Sequence, residues 1–417
     1  MRILLINQCF HPDVVSTAQH LTDVALSLAE RGHEVTVIAS NRGYDDPDLR
    51  FPASENWKGV RVIRVGSLGL GKASRWRRAL NFGSFMLACV FRLAFMPKFD
   101  VVLGLTSPPL ISVLAALFVS LKGGRFFFWI MDLNPDEAIA AGWLRRDSSA
   151  ARILSRLLTY SLNRAEKIFV LDRFMKDRVV GKGIPDQKLV VIPPWSHDSA
   201  VRYDHGGRLS FRAEHALTEK FVVMYSGNHS PCHPLDTILS AARELSSHEE
   251  IVFCFVGGGS EFNKAKAFAA RHGLSNIVCL PYQPLDKLSA SLSAADLHVV
   301  AMGNPFAGLV HPCKIYNILA VGKPFLYVGP QESHVSDIAS RMENEGDALV
   351  ARHGDTEAVA DQIRDAARRN IDRNISLTSE LARCYSMHAL LPKMVDVLES
   401  ARKDSQPCHS PASDFVS

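Results

Sequence analysis

The chain has 417 residues, of which 47% are hydrophobic and 22% charged, and its formal net charge at pH 7 is +4. This balance is typical of a folded globular protein and excludes an intrinsically disordered chain, and the length favours two domains over one. The positive charge is not gathered in a long basic run, which argues against nucleic acid as the main partner and leaves room for an anionic membrane surface. The eight cysteines form no CxxC pair and predict reduced core thiols rather than a zinc site.

The first 195 residues alternate predicted strands with predicted helices. A strand over residues 2–7 precedes apolar positions at helical spacing over 17–31, and Gly32 ends that helix before the strand EVTVIAS. Further strands are predicted over residues 60–65, 100–105, 125–131, 167–171 and 189–193. This alternation predicts a parallel, doubly wound sheet.

Two long apolar stretches, 79–96 and 105–121, lie within this half of the chain. Arg92 interrupts the first, and Ser107-Pro108-Pro109 lies near the start of the second, so neither fits a spanning helix. Basic residues flank both stretches, so they are expected either to lie on a membrane surface or to form two buried helices of the α/β domain. No signal peptide is predicted, because the apolar run after Arg2 is only a strand long.

In the second half, the strand FVVMYSG runs into Gly227, and the strand IVFCFVGGG ends at Gly257, Gly258 and Gly259. Glycine at a strand end lets backbone N–H groups approach a ligand, and the start of the next helix favours a phosphate. These features predict a nucleotide site at the carboxyl edge of a parallel sheet. The alternative is that the glycines only end their strands.

The predicted domains are residues 1–195 and 213–378, joined by a polar linker over 196–212. Helices are predicted over 356–368 and 377–402, and residues 379–402 are expected to return to the first domain. Residues 403–417, rich in Ser, Pro and Asp, predict a disordered tail.

With these elements placed, the chain resembles the retaining glycosyltransferases of family four, which have the GT-B fold. The resemblance is carried by RGHEVTVI after an amphipathic helix, by FFFWIMDLNPDEAI, and by CKIYNILAVGKP near the end of the second domain. It implies two Rossmann-like domains with a cleft between them, a nucleotide sugar bound by the second domain and an acceptor bound by the first. The bacterial members that assemble surface polysaccharides on a lipid carrier are the most similar.

The resemblance assigns donor residues one at a time. Gly227 matches the glycine whose loop lies against the diphosphate, and Gly257 and Gly258 are candidates for the same ligand. Asn228 and His233 stand where the family has an arginine and a lysine that neutralise phosphate. For His233, an ordinary surface-loop position is the alternative.

The family's pair of glutamates would fall on Leu309 and Asn317. Leucine cannot contact the donor sugar as a carboxylate does, and Asn317 is expected to meet the ribose only as a neutral hydrogen-bonding group. Lys314 is therefore the candidate for the missing phosphate cation, with a solvated surface lysine as the alternative.

On the acceptor side, Ser16 and Thr17 occupy a loop where relatives carry two glycines. Asp132 lies where the family has a polar acceptor residue, and together with Asp136 and Glu137 it is expected to orient or deprotonate an acceptor hydroxyl. The alternative is that Asp132 caps the helix that follows. No metal or other cofactor is expected, because backbone amides and cations can stabilise the leaving diphosphate.

The leading hypothesis is a cytoplasmic glycosyltransferase at the inner membrane surface that takes a UDP- or GDP-linked sugar and a lipid-linked saccharide. A sugar-nucleotide epimerase of the same fold and a catalytically weakened binding protein remain open as alternatives. A dehydrogenase is disfavoured, because the GxGxxG turn is absent after the first strand.

Overall fold

The computed structural model describes residues 1–44, 46, 48–70, 75–196, 201–342, 346–369 and 378–400. The predicted tail over 403–417 lies outside the described residues, as do residues 197–200 of the predicted linker. None of the helices in the described part of the chain is long and apolar enough to cross a membrane.

The first half of the chain forms an eight-stranded sheet. Its elements are β1 (Arg2–Ile6), α1 (Ser16–Glu30), β2 (Glu34–Ser40), β3 (Ser54–Trp57), β4 (Val60–Val65), α2 (Arg75–Ala94), β5 (Val101–Gly104), α3 (Ile111–Lys122), β6 (Arg125–Trp129), α4 (Asp136–Ala140), α5 (Ser149–Arg164), β7 (Lys167–Val170), α6 (Arg173–Val180) and β8 (Leu189–Val191). The strand order is β3-β4-β2-β1-β5-β6-β7-β8. The pairs β1–β2, β1–β5, β2–β4 and β5–β6 are parallel, whereas the edge strand β3 is antiparallel to β4. Sequence reasoning missed β3, because SENW carries no apolar pattern.

The second half forms a six-stranded sheet. Its elements are α7 (His205–Glu214), β9 (Phe221–Asn228), α8 (Asp236–Glu244), β10 (Ile251–Gly258), α9 (Ser260–His272), β11 (Ile277–Leu280), α10 (Leu288–Ser293), β12 (Leu297–Ala301), α11 (Lys314–Val321), β13 (Phe325–Val328), α12 (His334–Ala339), β14 (Ala348–Ala351), α13 (Thr356–Arg368), α14 (Thr378–Cys384) and α15 (Met387–Ser400). The order is β11-β10-β9-β12-β13-β14, and all five pairs are parallel. The predicted α/β class with two doubly wound sheets is confirmed.

The strand order of the second sheet determines where a ligand would bind. β9 comes first in the chain but lies in the middle, with β10 on one side and β12 on the other. Its side chains are buried on both faces, with Val223 and Tyr225 in one core cluster and Val222 and Met224 in another. Because the chain reverses direction across the sheet between β9 and β12, a crevice is expected at their carboxyl ends.

The predicted linker is not wholly irregular, because α7 begins inside it. Arg208 and Arg212 on this helix are buried and form ion pairs with Asp296, and the Arg208 Nη2 to Asp296 Oδ1 distance is 2.5 Å. Asp296 also accepts a hydrogen bond from the Val222 amide at 2.7 Å. The polar composition of residues 196–212 predicted a linker. The two arginines can nevertheless be buried, because each is paired with a carboxylate. The partner carboxylate is distant in sequence, so the pattern could not reveal it.

The final helix predicted over 377–402 is instead two helices, α14 and α15, separated at Tyr385 and Ser386. Ser196 accounts for the break, because its amide donates to the Tyr385 carbonyl at 2.9 Å and its carbonyl accepts from the Met387 amide at 3.2 Å. These bonds replace the helical hydrogen bonds that would otherwise continue the ladder.

Contacts divide the chain into two compact units. One contains Met1–Trp129, Tyr160–Ile168 and the residues from Leu391 onward, and the other contains Ile130–Thr159 and Phe169–Leu390. Within the first unit, α15 bonds to the end of α1: Arg31 Nη1 lies 2.7 Å from Asp396 and 2.9 Å from Glu399. The domain boundaries drawn from the sequence stay a prediction.

Candidate functional site

The carboxyl ends of β9 and β10 pack backbone against backbone in the second compact unit. Gly227, Gly257 and Gly259 have φ values of +116°, +135° and +132°, which L side chains rarely adopt. A Cβ at Gly257 would lie 2.1 Å from the Gly227 carbonyl oxygen, and one at Gly259 would lie 2.4 Å from that of His229. Packing alone therefore accounts for Gly257 and Gly259, and the role of Gly257 in nucleotide binding stays a prediction.

His229, which follows this strand end, was missed as a site residue. Its Nδ1 donates to the Gly227 carbonyl at 2.8 Å, whereas its Nε2 is buried and finds no hydrogen-bond partner among the described residues. Burial, together with the positive charge of Lys314, lowers the pKa of His229 to about 3. The imidazole is therefore neutral and leaves one acceptor atom unused. The signal for it in the sequence is weak, namely a histidine directly after Gly227 and Asn228.

Lys314 is the first residue of α11, and its ammonium lies beside the end of β9. The Nζ atom is 3.1 Å from the centroid of the Tyr225 ring and is buried without a hydrogen-bond partner among the described residues. A Cβ at Gly227 would lie 3.8 Å from this Nζ. Burial lowers the pKa of Lys314 well below its usual value. Among the described residues the compensation for this buried cation is an aromatic face, which favours the binding of an anion beside it.

His233 and Asn317 lie near Lys314 but differ in what they can offer. His233 Nδ1 is 2.8 Å from the Ala301 carbonyl at the end of β12, and burial together with Lys314 lowers its pKa to about 3. It therefore does not supply the positive charge of the lysine it replaces. Asn317 lies three residues after Lys314 on the same helix, hence on a neighbouring part of its surface, and is half-buried. The ligand roles of both residues stay predictions.

Asp132 lies in the loop that follows β6, and Glu137 lies on α4, the helix after that loop. Both residues belong to the second compact unit, which also contains the loop after β9. Glu137 accepts from Asn134 Nδ2 at 2.8 Å, and Cys232 Sγ lies 3.7 Å from its other oxygen. Burial and the neighbouring charge of Glu137 raise the pKa of Asp132 to about 8. Asp132 does not cap α4, since the residue at that cap is Pro135 and no side chain bonds there. The capping alternative is therefore wrong.

The other acceptor candidates have local contacts of their own. Ser16 and Thr17 begin α1 in the first compact unit, where Ser16 Oγ is 3.3 Å from His20 Nδ1. Asp136 forms an ion pair with Lys182 at 2.7 Å. Within the second unit the structure brings the predicted donor residues Gly227 and Lys314 to one edge of the sheet, and the roles of Ser16 and Thr17 stay predictions.

Asp172, His311 and His334 form the one group among the described residues that could hold a metal ion. Asp172 caps α6 through the Met175 amide and accepts from His311 Nδ1 at 2.8 Å. His311 Nε2 lies 2.6 Å from the Tyr316 hydroxyl, and the two imidazoles stack with their centroids 3.5 Å apart. These bonds tie the segment before α11 to α6 and so help to position Lys314. The expectation of no metal stays a prediction.

Comparison with known families identifies the architecture. The model described as "Glycosyl transferase 4-like domain" matches residues 17–195, and the model described as "Glycosyl transferases group 1" matches residues 208–375. Together they cover most of the chain. The chain belongs to glycosyltransferase family four.

Relatives of this glycosyltransferase agree with that placement. A protein of Escherichia coli strain K12, named as a colanic acid biosynthesis glycosyl transferase, WcaI, is 26% identical over 343 residues, which is 77% of this chain and 82% of that protein. The structure of a sucrose-phosphate synthase from Thermosynechococcus elongatus superposes with a TM-score of 0.75 at 14% identity, covering 97% of this chain and 100% of that one. Anabaena HepE in complex with UDP-glucose gives a TM-score of 0.70 at 13% identity, covering 96% and 100%. The fold is GT-B.

Two further residues, Leu309 and Tyr282, bear on the predicted donor site. Leu309 is buried, its exposed fraction being 2%, and its carbonyl accepts from the Leu133 amide at 2.9 Å. Its side chain is therefore part of the packing. Tyr282 was missed: it is 54% exposed just beyond β11, and a Cβ at Gly258 would lie 3.2 Å from its ring. It offers an aromatic surface at the carboxyl edge of the sheet.

Proposed function

We propose that this glycosyltransferase moves a sugar from a UDP- or GDP-linked donor to a lipid-linked saccharide during assembly of a surface polysaccharide, with retention of configuration and without a metal ion. The observation that carries the proposal is the buried Lys314 ammonium, which finds no hydrogen-bond partner among the described residues and lies at the carboxyl end of β9. The names of WcaI, which refers to colanic acid, and of the HepE complex, which contains UDP-glucose, support the substrate classes.

The chemistry follows from the positions of the charged groups. The diphosphate lies against Gly227, a residue without a side chain. Lys314 neutralises the negative charge that develops on the diphosphate as its bond to the sugar breaks. Asn317 bonds the ribose as a neutral group. Asp132, whose carboxyl is buried beside Glu137, orients the acceptor hydroxyl and, in its ionised form, takes its proton.

Calorimetric binding of UDP, GDP, ADP and NAD to the purified protein, without added metal, tests the proposal. We expect one of UDP and GDP to bind selectively and the matching nucleotide sugar to bind more tightly, since the sugar adds contacts. Selective binding of NAD would contradict a nucleotide-sugar transferase. The same conclusion would follow if no nucleotide bound, either with or without vesicles that carry the acceptor. Binding that requires Mg²⁺ would contradict the metal-independent form.

A binding protein that no longer transfers sugar is the second candidate, because Leu309 and Asn317 replace two carboxylates of the family. It predicts that the nucleotide sugar binds but is not consumed with any lipid-linked acceptor. An epimerase of the same fold predicts conversion of the nucleotide sugar without an acceptor. Following the donor by chromatography, with and without acceptor, separates the three outcomes.

We also propose that the protein binds the cytoplasmic face of the inner membrane through α2 and α3 of the first compact unit. Large apolar side chains are exposed here: Phe91 on α2 at 62%, Phe95 directly after α2 at 87%, and Leu121 on α3 at 83%. Exposed basic residues accompany them: Arg77, Arg78, Arg92, Lys98 and Lys122. Apolar anchors next to cations are typical of surfaces that bind anionic lipid.

Replacing Phe91 and Phe95 by aspartate is expected to abolish sedimentation with phosphatidylglycerol vesicles at low salt. The changes remove two inserted rings and add charge that the anionic surface repels. Leu209→Asp with Leu285→Asp is the matched control, since these exposed leucines belong to the other compact unit. Equal sedimentation of both variants and the unaltered protein would show that α2 is not the membrane-binding surface.

A further inference from the structure

One cavity of the second compact unit is strongly basic. Its volume is about 820 Å³, and among the described residues that line it the one carboxylate is Asp136, which is already paired with Lys182 at 2.7 Å. The cationic lining residues are Arg146, Arg152, Arg156 and Arg178. A volume in this range is typical of pockets that enclose a small organic ligand.

The arginines come from neighbouring elements. Arg152 and Arg156 lie one turn apart on α5, Arg146 precedes that helix, and Arg178 lies on α6, where its Nε donates to the Ala307 carbonyl at 2.6 Å. None of the four forms a salt bridge with a carboxylate of the described residues. Like charges at this helical spacing repel one another, so an anion held between them would stabilise the arrangement.

The remainder of the cavity is apolar, and so is the surface next to it. Ile139, Pro305 and Leu309 contribute to its lining. On α5, Ile153 and Leu157 follow directly after the two arginines, and their exposed fractions are 55% and 36%. Guanidinium groups beside exposed aliphatic side chains fit a ligand that joins a phosphate group to a hydrocarbon.

We propose that this cavity binds the diphosphate of a prenyl-diphosphate-linked acceptor, with the hydrocarbon leaving along Ile153 and Leu157. The inference rests on the proposed function, because it identifies the anchor of the lipid-linked acceptor. Asp136 lines the cavity, and the next residue, Glu137, accompanies Asp132 on the acceptor side. An anchor here places the saccharide that follows the diphosphate near the carboxylates that act on its hydroxyl.

The test uses farnesyl diphosphate, a water-soluble prenyl diphosphate, with the full-length protein and calorimetry. Arg152→Gln with Arg156→Gln removes two positive charges while keeping polar side chains of similar length. Because hydrogen bonds to charged groups are worth more than neutral ones, we expect affinity to fall about 30-fold or more. Arg243→Gln with Arg271→Gln is the matched control, since both residues are exposed, lie outside the cavity and make the same change in net charge.

Farnesyl monophosphate, inorganic pyrophosphate and farnesol separate the possible sources of binding. The proposal expects farnesyl diphosphate to bind more tightly than each of them. Pyrophosphate binding as tightly as farnesyl diphosphate would reduce the cavity to a plain anion site and overturn the proposal, as would equal affinity of both double variants. Binding of the donor nucleotide, UDP or GDP, is measured in parallel and is expected to be the same in the unaltered protein and in both double variants. If the unaltered protein binds neither UDP nor GDP, the result counts against the proposed donor but not against this cavity.

Discussion

Lys314→Met is expected to lower the affinity for the donor nucleotide by about 10- to 100-fold, the range for one charged hydrogen bond, and to lower kcat by about 100-fold. Methionine keeps the packing of the lysine stem against Tyr225 but removes the cation beside Gly227. The loss in kcat follows because the leaving diphosphate gains charge in the transition state. Isothermal calorimetry with UDP or GDP and steady-state transfer assays measure the two effects.

Lys393→Met, at an exposed position on α15, is the control for a simple change of net charge. The Lys314 variant is expected to unfold at the same temperature as the parent or higher, because an unpaired buried ammonium destabilises the free protein. An unchanged nucleotide affinity in a folded Lys314→Met protein would exclude this lysine from the site.

Proton uptake on nucleotide binding provides an independent measurement of the same site. Burial lowers the pKa of Lys314 well below its usual value in the free protein, and a bound diphosphate favours the charged amine and raises that pKa. Nucleotide affinity should therefore fall as pH rises above the free pKa. His229 and His233, each with a pKa of about 3, would take up protons only at much lower pH. Calorimetry in two buffers of different ionisation enthalpy counts the protons taken up, because the measured binding enthalpy then differs between the buffers. Lys314→Met should abolish this difference in binding enthalpy.

Local patterns predicted most of the fold, because its strands are short apolar runs separated by glycines and capped helices. The helix over residues 356–368 agrees with α13 (Thr356–Arg368), and the strand over 60–65 agrees with β4 (Val60–Val65). What the patterns missed depends on distant partners. Arg208 is buried because of Asp296, and the last helix breaks because Ser196 bonds to Tyr385 and Met387. Neither contact leaves a periodic signal in the sequence.

The site could be predicted only in part for the same reason. Gly227 and Lys314 were identified separately, and the structure places them together because the chain crosses from β9 to β12 and then enters α11. His229 was missed because its importance comes from an unused Nε2 atom, which depends on the hydrogen bond that its Nδ1 makes. The glycines at the end of β10 were assigned to a ligand, although the Gly227 carbonyl already requires glycine at position 257.

Asp132→Asn is expected to lower the transfer rate by about 100-fold or more while leaving nucleotide affinity unchanged, because a positioned base contributes at least that factor. The pH dependence identifies the group. Burial and Glu137 raise the pKa of Asp132 to about 8, so the carboxyl is mostly protonated at neutral pH and the rate should rise with pH until about 8. Glu137→Gln removes the neighbouring charge, which should lower the pKa of Asp132 and move the rise to lower pH.

Stability should change in the opposite direction to activity. A carboxyl whose pKa is raised on folding stabilises the native state fully below its unfolded pKa, about 4, and this contribution is lost as pH rises through the folded pKa of about 8. Asp132→Asn has no such titration, so its melting temperature should fall less than that of the parent between pH 5 and pH 8. Asp147→Asn, at an exposed carboxylate, is the control. A variant that keeps the parent's rate and the parent's pH dependence would show that Asp132 neither titrates in this range nor acts on the acceptor.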